Sequence, residues 1–197
     1  MKPIIRLATP ADVPGMLAIY APFILHSTTS FEIAVPSQNE FWSRVEKVLT
    51  KTPWLVCEID GDIAGYAYAG EHRERAAYQW NRELSVYVAD KFQKMGIATA
   101  LYGCIIEIIR QQGYCNILAG ITLPNEKSVH FHEKMGFKLV GIYHRVGFKF
   151  GNWWDVGWWE MPLQDKSVQP ETVKSLEEMI PCLGDSFQKW AAQIMNQ

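Results

Sequence analysis

A chain of 197 residues with 48% hydrophobic and 20% charged side chains has the size and composition of one globular domain with at most a short appendage, and excludes a largely disordered polypeptide. Nineteen Lys and Arg against 21 Asp and Glu leave a formal charge of −2, so no global basic field is present to hold a nucleic-acid backbone, although a small charged metabolite needs only local charge. No apolar run approaches the roughly 18 residues that span a bilayer, Met1 to Arg6 lacks the apolar core of a secretory signal, and Cys57, Cys104, Cys115 and Cys182 form no CxxC pair. The expectation is a cytoplasmic protein with reduced thiols and no membrane or nucleic-acid partner.

Ile4 to Leu7 is a short apolar run, and Thr9-Pro10-Ala11-Asp12 reads as a helix start with Pro at its first position. That helix would bury Val13, Met16, Leu17 and Tyr20. A second helix follows Val35-Pro36-Ser37 with Phe41, Val45, Val48 and Leu49 as its stripe. Trp54–Ile59 and Ile63–Tyr68 flank Asp60-Gly61-Asp62, a strong hairpin signal. Leu84, Val86 and Val88 alternate with Glu83, Ser85 and Tyr87 as in a half-buried strand. Ile97, Leu101, Cys104, Ile105, Ile108 and Ile109 keep a helical period that Gly113 ends. Cys115 to Ile121 reads as a strand, Asn125 as the N-cap of a helix ending before Gly136, and Phe137–Ile142 and Trp154–Met161 as the last strands. Hairpins mixed with crossover helices predict an α/β fold with a mixed sheet. Beyond Leu163 the composition changes, so residues 164–197 are expected to form a partly helical appendage to a domain of residues 1–163.

Gln93-Lys94-Met95-Gly96-Ile97-Ala98 follows a strand and opens a helix. Such a turn leaves backbone N–H groups unpaired at a helix N-terminus, an anion seat suited to a pyrophosphate; Gly96 lets the backbone approach closely and Ala98 keeps bulk out of the way. No GxGxxG or GxxxxGK[ST] occurs, so dinucleotide and P-loop readings lose their main support. Asn125, Ser128 and His132 fall along one face of the next helix. His130 and His132, two residues apart on a helix, point about 200° from each other and make a poor metal pair. No metal is expected.

Strand, Gln-x-x-Gly-x-Ala, helix, strand, then Asn125-x-x-Ser128 ending in Gly136-Phe137 resembles the GNAT N-acetyltransferase superfamily over residues 3 to 163. Six further stretches resemble its phosphinothricin N-acetyltransferase family: Ser30-Phe31-Glu32, Pro53–Val56, Arg75–Trp80, Glu83–Val88, His132–Phe137 and Gly147–Trp153. The resemblance implies a single-domain GNAT fold whose mostly antiparallel sheet is splayed near Val86 and Ala119, where acetyl-CoA would lie. Val86, Tyr87, Val88, Lys94, Met95, Gly96, Ile97, Ala98, Thr99, Asn125 and Ser128 are the coenzyme-binding residues it implies. It also implies a homodimer, which the crowding of Trp153, Trp154, Trp158 and Trp159 suits.

N-acetyl transfer needs an unprotonated amine, so a base must act before attack, and direct attack in a ternary complex is what the resemblance implies. Glu83 is the candidate base, with a carboxyl that a mostly buried strand should push upward. His132, where many superfamily members carry a tyrosine, is the candidate acid or a member of the deprotonation relay; the two roles are exchangeable at this level. The resemblance places the acceptor near Phe31, Arg75, Tyr78 and Tyr87, an Arg and tyrosines being suited to a carboxylate or phosphinate. The acceptor would be a small amino-acid-like molecule such as phosphinothricin, methionine sulfoximine or methionine sulfone. Two other readings stand beside this one: acetylation of protein or peptide N-termini, and a non-catalytic acyl-CoA-binding regulatory module.

Overall fold

The computed structural model describes residues 2–166 and 169–194; the remaining residues of the expected C-terminal extension lie outside the described residues. In chain order the elements are β1 (Pro3–Leu7), α1 (Val13–His26), α2 (Gln38–Leu49), β2 (Trp54–Ile59), β3 (Asp62–Glu71), β4 (Asn81–Val88), α3 (Ile97–Gln112), β5 (Asn116–Leu123), α4 (Glu126–Lys134), β6 (Lys138–Lys149), β7 (Asn152–Pro162) and α5 (Leu176–Ala191).

Local chemistry accounts for most boundaries. The β2–β3 turn is tight because Asp60 and Gly61 both take positive φ, 51° and 87°, the conformation whose twist matches a hairpin. Ser37 and Glu40 cap α2 reciprocally, and the Asn125 side chain accepts the Ser128 N–H to start α4. Gly113, at φ 99°, closes α3.

Two readings of the pattern need correction. A 3-10 turn, Pro10–Asp12, precedes α1, and Ile19 and Ile24 join its buried stripe while Leu17 stays half-buried. β6 runs seven residues past the expected end at Ile142, to Lys149, while β7, Asn152–Pro162, exceeds the expected Trp154–Met161 by two residues and one. Their register shifts between Tyr143 and Gly147, and Arg145 takes a φ of 51°; such a bulge breaks the period-two alternation on which strand detection rests.

Among the described residues seven strands form one sheet in the order β1-β2-β3-β4-β5-β7-β6. Every pairing is antiparallel except β4 with β5. α1 and α2 cover one face through Val13, Met16, Phe41, Val45, Trp54 and Tyr66. α3 covers the other, where Leu101, Ile105 and Ile109 are fully buried with Leu55, Ala67 and Ile117; each such Leu or Ile side chain contributes about 1.5–3 kcal/mol of transfer free energy. α5 adds Leu176, Met179 and Leu183 to this same core. It closes on α3 where Gly103 leaves room for the Trp190 ring, and Glu107 accepts from Ser186, Lys189 and Trp190.

Lys149 fixes the loop between α1 and α2. Its side chain is buried, and Nζ donates to the carbonyls of Ile24, Ser27 and Ser30 at 2.7, 2.9 and 2.6 Å. The orphan carbonyls at the α1 C-terminus and in the loop thus share one cation supplied by the end of β6. Phe31 in this loop lies on Gly147, where a Cβ would collide with its ring. Lys149→Met should lower stability by about 2–4 kcal/mol, since it strands buried acceptors. A drop in the urea midpoint is the expected readout, and an unchanged midpoint would mean that the carbonyls find other partners.

Candidate active site

β4 and β5 pair only at Asn81–Asn116, Arg82–Ile117 and Glu83–Leu118. From Leu84 onward β4 keeps its partners in β3, while β5 turns to β7. The two strands part directly after Glu83. Between them lies a cavity of about 540 Å³ lined by Leu84–Val88, Gly96–Thr99, Tyr102, Gly120, Asn125, Lys127, Ser128 and His132, with Phe23, Thr29 and Phe131 at its sides. One backbone edge of β4 there faces space instead of a strand, and its polar groups are free to bind an extended, amide-containing ligand.

Of the coenzyme residues read from the sequence, Val86, Tyr87, Val88, Lys94, Gly96, Ile97, Ala98, Thr99, Asn125 and Ser128 line this cavity. Met95 does not; its side chain packs on the core. Gly96 is the N-cap of α3 at φ 81°, and no side chain among the described residues caps it. The first intrahelical bond is Ala100 N–H to Gly96 O, so the N–H groups of Ile97, Ala98 and Thr99 point out of the helix end. Lys94, itself at φ 64°, and Lys127, 3.0 Å from Gln93 Oε1, add positive charge at the rim. Lys127 was not legible as a binding residue, although a lysine in the first turn of a helix opposes the dipole and is itself a hint of an anion nearby. A pyrophosphate at the helix mouth and a pantetheine arm along β4 both fit these groups.

His132 also lines the cavity and is buried. Its Nδ1 is 2.8 Å from the Ser128 carbonyl and its Nε2 is 2.9 Å from the Tyr102 hydroxyl. A carbonyl only accepts, so the proton resides on Nδ1, and Nε2 of the neutral ring accepts from Tyr102. Burial lowers the His132 pKa, the Ser128 bond opposing it, which favours this neutral form. The Nε2 lone pair of the ring is therefore occupied by the Tyr102 hydroxyl. Tyr102 was missed at the sequence level because it sits in the apolar stripe of α3, where a tyrosine reads as core. His130 lines a different groove, with Trp153 and Trp154.

Glu83 stands at the vertex where the strands part, outside the lining of the coenzyme cavity. Its Oε1 is 2.7 Å from His72 Nδ1. Burial pushes its carboxyl up, with His72 and Arg73 pulling back. The His72 ring meets Trp158 and Tyr78 edge-on, at 5.8 and 6.0 Å between centroids. Arg75 opens the short 3-10 turn Ala76–Tyr78, and both Arg75 and Tyr78 are exposed. The structure thus brings Tyr78 to the Glu83 side. Tyr87, by contrast, is locked among Tyr20, Phe23 and Tyr66 at 4.9, 5.2 and 5.2 Å and forms cavity wall. Phe31 is outside the cavity lining, its ring packed on Gly147 of β6.

The parted strands lie beside a helix N-terminus, and residues 5–158 match the model of the acetyltransferase (GNAT) domain. The chain belongs to the GNAT acetyltransferases. The acetyltransferase is 37% identical over 172 residues to phosphinothricin N-acetyltransferase of Streptomyces viridochromogenes, covering 85% of this chain and 94% of that relative. It is 32% identical over 172 residues to the L-methionine sulfoximine/L-methionine sulfone acetyltransferase of Pseudomonas aeruginosa, covering 86% of this chain and all of that one. In three dimensions it resembles a GNAT superfamily phosphinothricin acetyltransferase from Sinorhizobium meliloti in complex with acetyl-CoA, with a TM-score of 0.81, 28% identity and coverage of 87% and 94% of the two chains.

Proposed function

We propose that this acetyltransferase moves the acetyl group of acetyl-CoA to the α-amino group of a small amino-acid-like acceptor, with phosphinothricin, methionine sulfoximine and methionine sulfone as the candidate class. The observation that carries this reading is the position of Glu83 at the vertex of the parted strands, beside rather than within the coenzyme cavity. The names of the relatives in Streptomyces and Pseudomonas point to the same class. Acetylation would remove the acceptor's ammonium charge, which is a route to resistance against toxic members of the class.

When bound, acetyl-CoA supplies an activated acetyl thioester. The N–H groups of Ile97, Ala98 and Thr99, with Lys94 and Lys127, would hold its pyrophosphate, while the free edge of β4 would order its arm. The acceptor amine, with a pKa of about 8, is largely protonated at neutral pH. Glu83 takes that proton; after attack the nitrogen loses a second one, which Tyr102 with His132 Nε2 would pass to the sulfur as it departs, so the coenzyme leaves as a thiol. Arg75 supplies a cation for the acceptor's carboxylate, and Tyr78 a neutral donor. Phe31, outside the coenzyme cavity, closes the acceptor side.

A thiol-release assay with acetyl-CoA and a panel of the three candidates, ordinary amino acids, a polyamine and a short peptide tests the reading. Turnover confined to the three supports it. Preference for the peptide would instead favour N-terminal acetylation of proteins, and tight coenzyme binding with no turnover would favour a binding module.

Residues 1–163 are, on this reading, the catalytic domain, and 164–197 a C-terminal extension. The enzyme works as a cytoplasmic homodimer. β6 is a sheet edge that exposes Leu139, Val140, Tyr143, Val146 and Phe148, with Trp153 beside it on β7, an apolar surface of the kind that self-association covers. The double variant Val146→Asp with Phe148→Asp should convert a dimer to a monomer in light scattering; a monomeric parent protein would remove the dimer from the proposal.

A further inference from the structure

Glu83 has a task that its surroundings oppose. A carboxyl half-withdrawn from water tends to hold its proton, yet a base must be ionised before the acceptor arrives. Something must offset the burial. Around the carboxylate stand His72 and Arg73 from the loop after β3, Tyr68 from β3, and Glu160 of β7 two strands away in the same cross-strand row. Tyr68 is engaged with Ser85, and Glu160 accepts from Asn116. Only His72 touches Glu83 among these, at 2.7 Å.

Strand register explains the contact. Gly70 of β3 lies opposite Glu83, and with side chains alternating across the sheet His72 emerges two residues on, on the same face. Gly70 has no side chain to intervene, so the imidazole reaches across the gap. Trp158 and Tyr78 hold the ring from two sides.

We infer that His72 is a positioning residue for acetyl transfer, one that donates Nδ1–H to Glu83 Oε1 and so keeps the carboxylate ionised and aimed with Oε2 left for the acceptor's proton. An ionised carboxylate only accepts, so at neutral pH the imidazole proton must sit on Nδ1. On proton transfer the acceptor ammonium becomes an amine, Oε2 gains the proton, and Glu83 becomes a neutral acid still tied to His72. This rests on Glu83 being the base in the reading above.

The test follows the Glu83 carboxyl itself by ¹³C NMR across pH in the full chain, its signal assigned by difference from Glu83→Gln. In His72→Phe the titration midpoint should rise by about one unit, the size of effect expected for losing a charge-assisted hydrogen bond. His72→Asn, which can place an N–H where Nδ1 was, should recover most of that shift. A midpoint unmoved in His72→Phe overturns the inference. Equal shifts in Phe and Asn variants also overturn it, because ring packing rather than the donated bond would then be responsible. The acidic limb of kcat/KM against pH should move upward with the carboxyl. Should the carboxyl shift while the limb stays in place, the role of His72 towards Glu83 stands and the assignment of Glu83 as base falls.

Discussion

Glu83→Gln should lower kcat by about 10²–10⁴-fold, the usual contribution of a positioned general base, while acetyl-CoA affinity changes little. Gln has nearly the shape of Glu and can still accept from His72 Nδ1, so the vertex between β4 and β5 should survive. What is lost is the capacity to take a proton from the acceptor. The pH dependence carries a second signature. With the parent enzyme, activity should fall as pH drops through the Glu83 titration, which burial displaces upward against the pull of His72 and Arg73. In the Gln variant that limb should vanish from the residual rate, since the group responsible no longer titrates. Steady-state kinetics over a pH series measures both, and a limb that persists unchanged would assign the base to His132 acting through Tyr102.

Ala98→Asp should weaken acetyl-CoA binding by 100-fold or more, about 3 kcal/mol. The carboxylate would sit among the free N–H groups of the α3 N-terminus, where a pyrophosphate is expected, and like charges about 4 Å apart near a protein surface repel on the order of 4 kcal/mol. The same substitution should leave the fold intact or slightly firmer, because an acidic residue in the first turn complements the helix dipole. Binding and stability thus move in opposite directions, which separates a lost site from a damaged protein. Calorimetric titration of coenzyme beside a thermal melt reads both, and an unchanged affinity would mean that the pyrophosphate sits elsewhere.

Much of this molecule is written locally. Asp60-Gly61, Ser37 with Glu40, Asn125 with Ser128, and Gly113 each act within a few residues, so their consequences are present in the sequence before any tertiary contact forms. The coenzyme seat belongs to the same group: a strand, a turn with Gly96 at positive φ and the first N–H groups of α3 are contiguous in the chain. Eight of the ten cavity-lining coenzyme residues lie in that contiguous run, Asn125 and Ser128 came from the family resemblance, and the end of β6 was missed where a bulge breaks the alternation.

The long-range pairings were decided by the tertiary structure. His72 meets Glu83 through the register of β3 on β4; Tyr102 of α3 meets His132 of α4 across the cavity wall; Lys149 reaches Ile24 from the end of β6. The gap proposed for the coenzyme exists because β5 leaves β4 after Leu118 and continues with β7 alone. Periodicity tells which face a side chain occupies, but the side chain it meets is set by strand register and helix packing between distant segments, and those are fixed only when the whole core is buried at once.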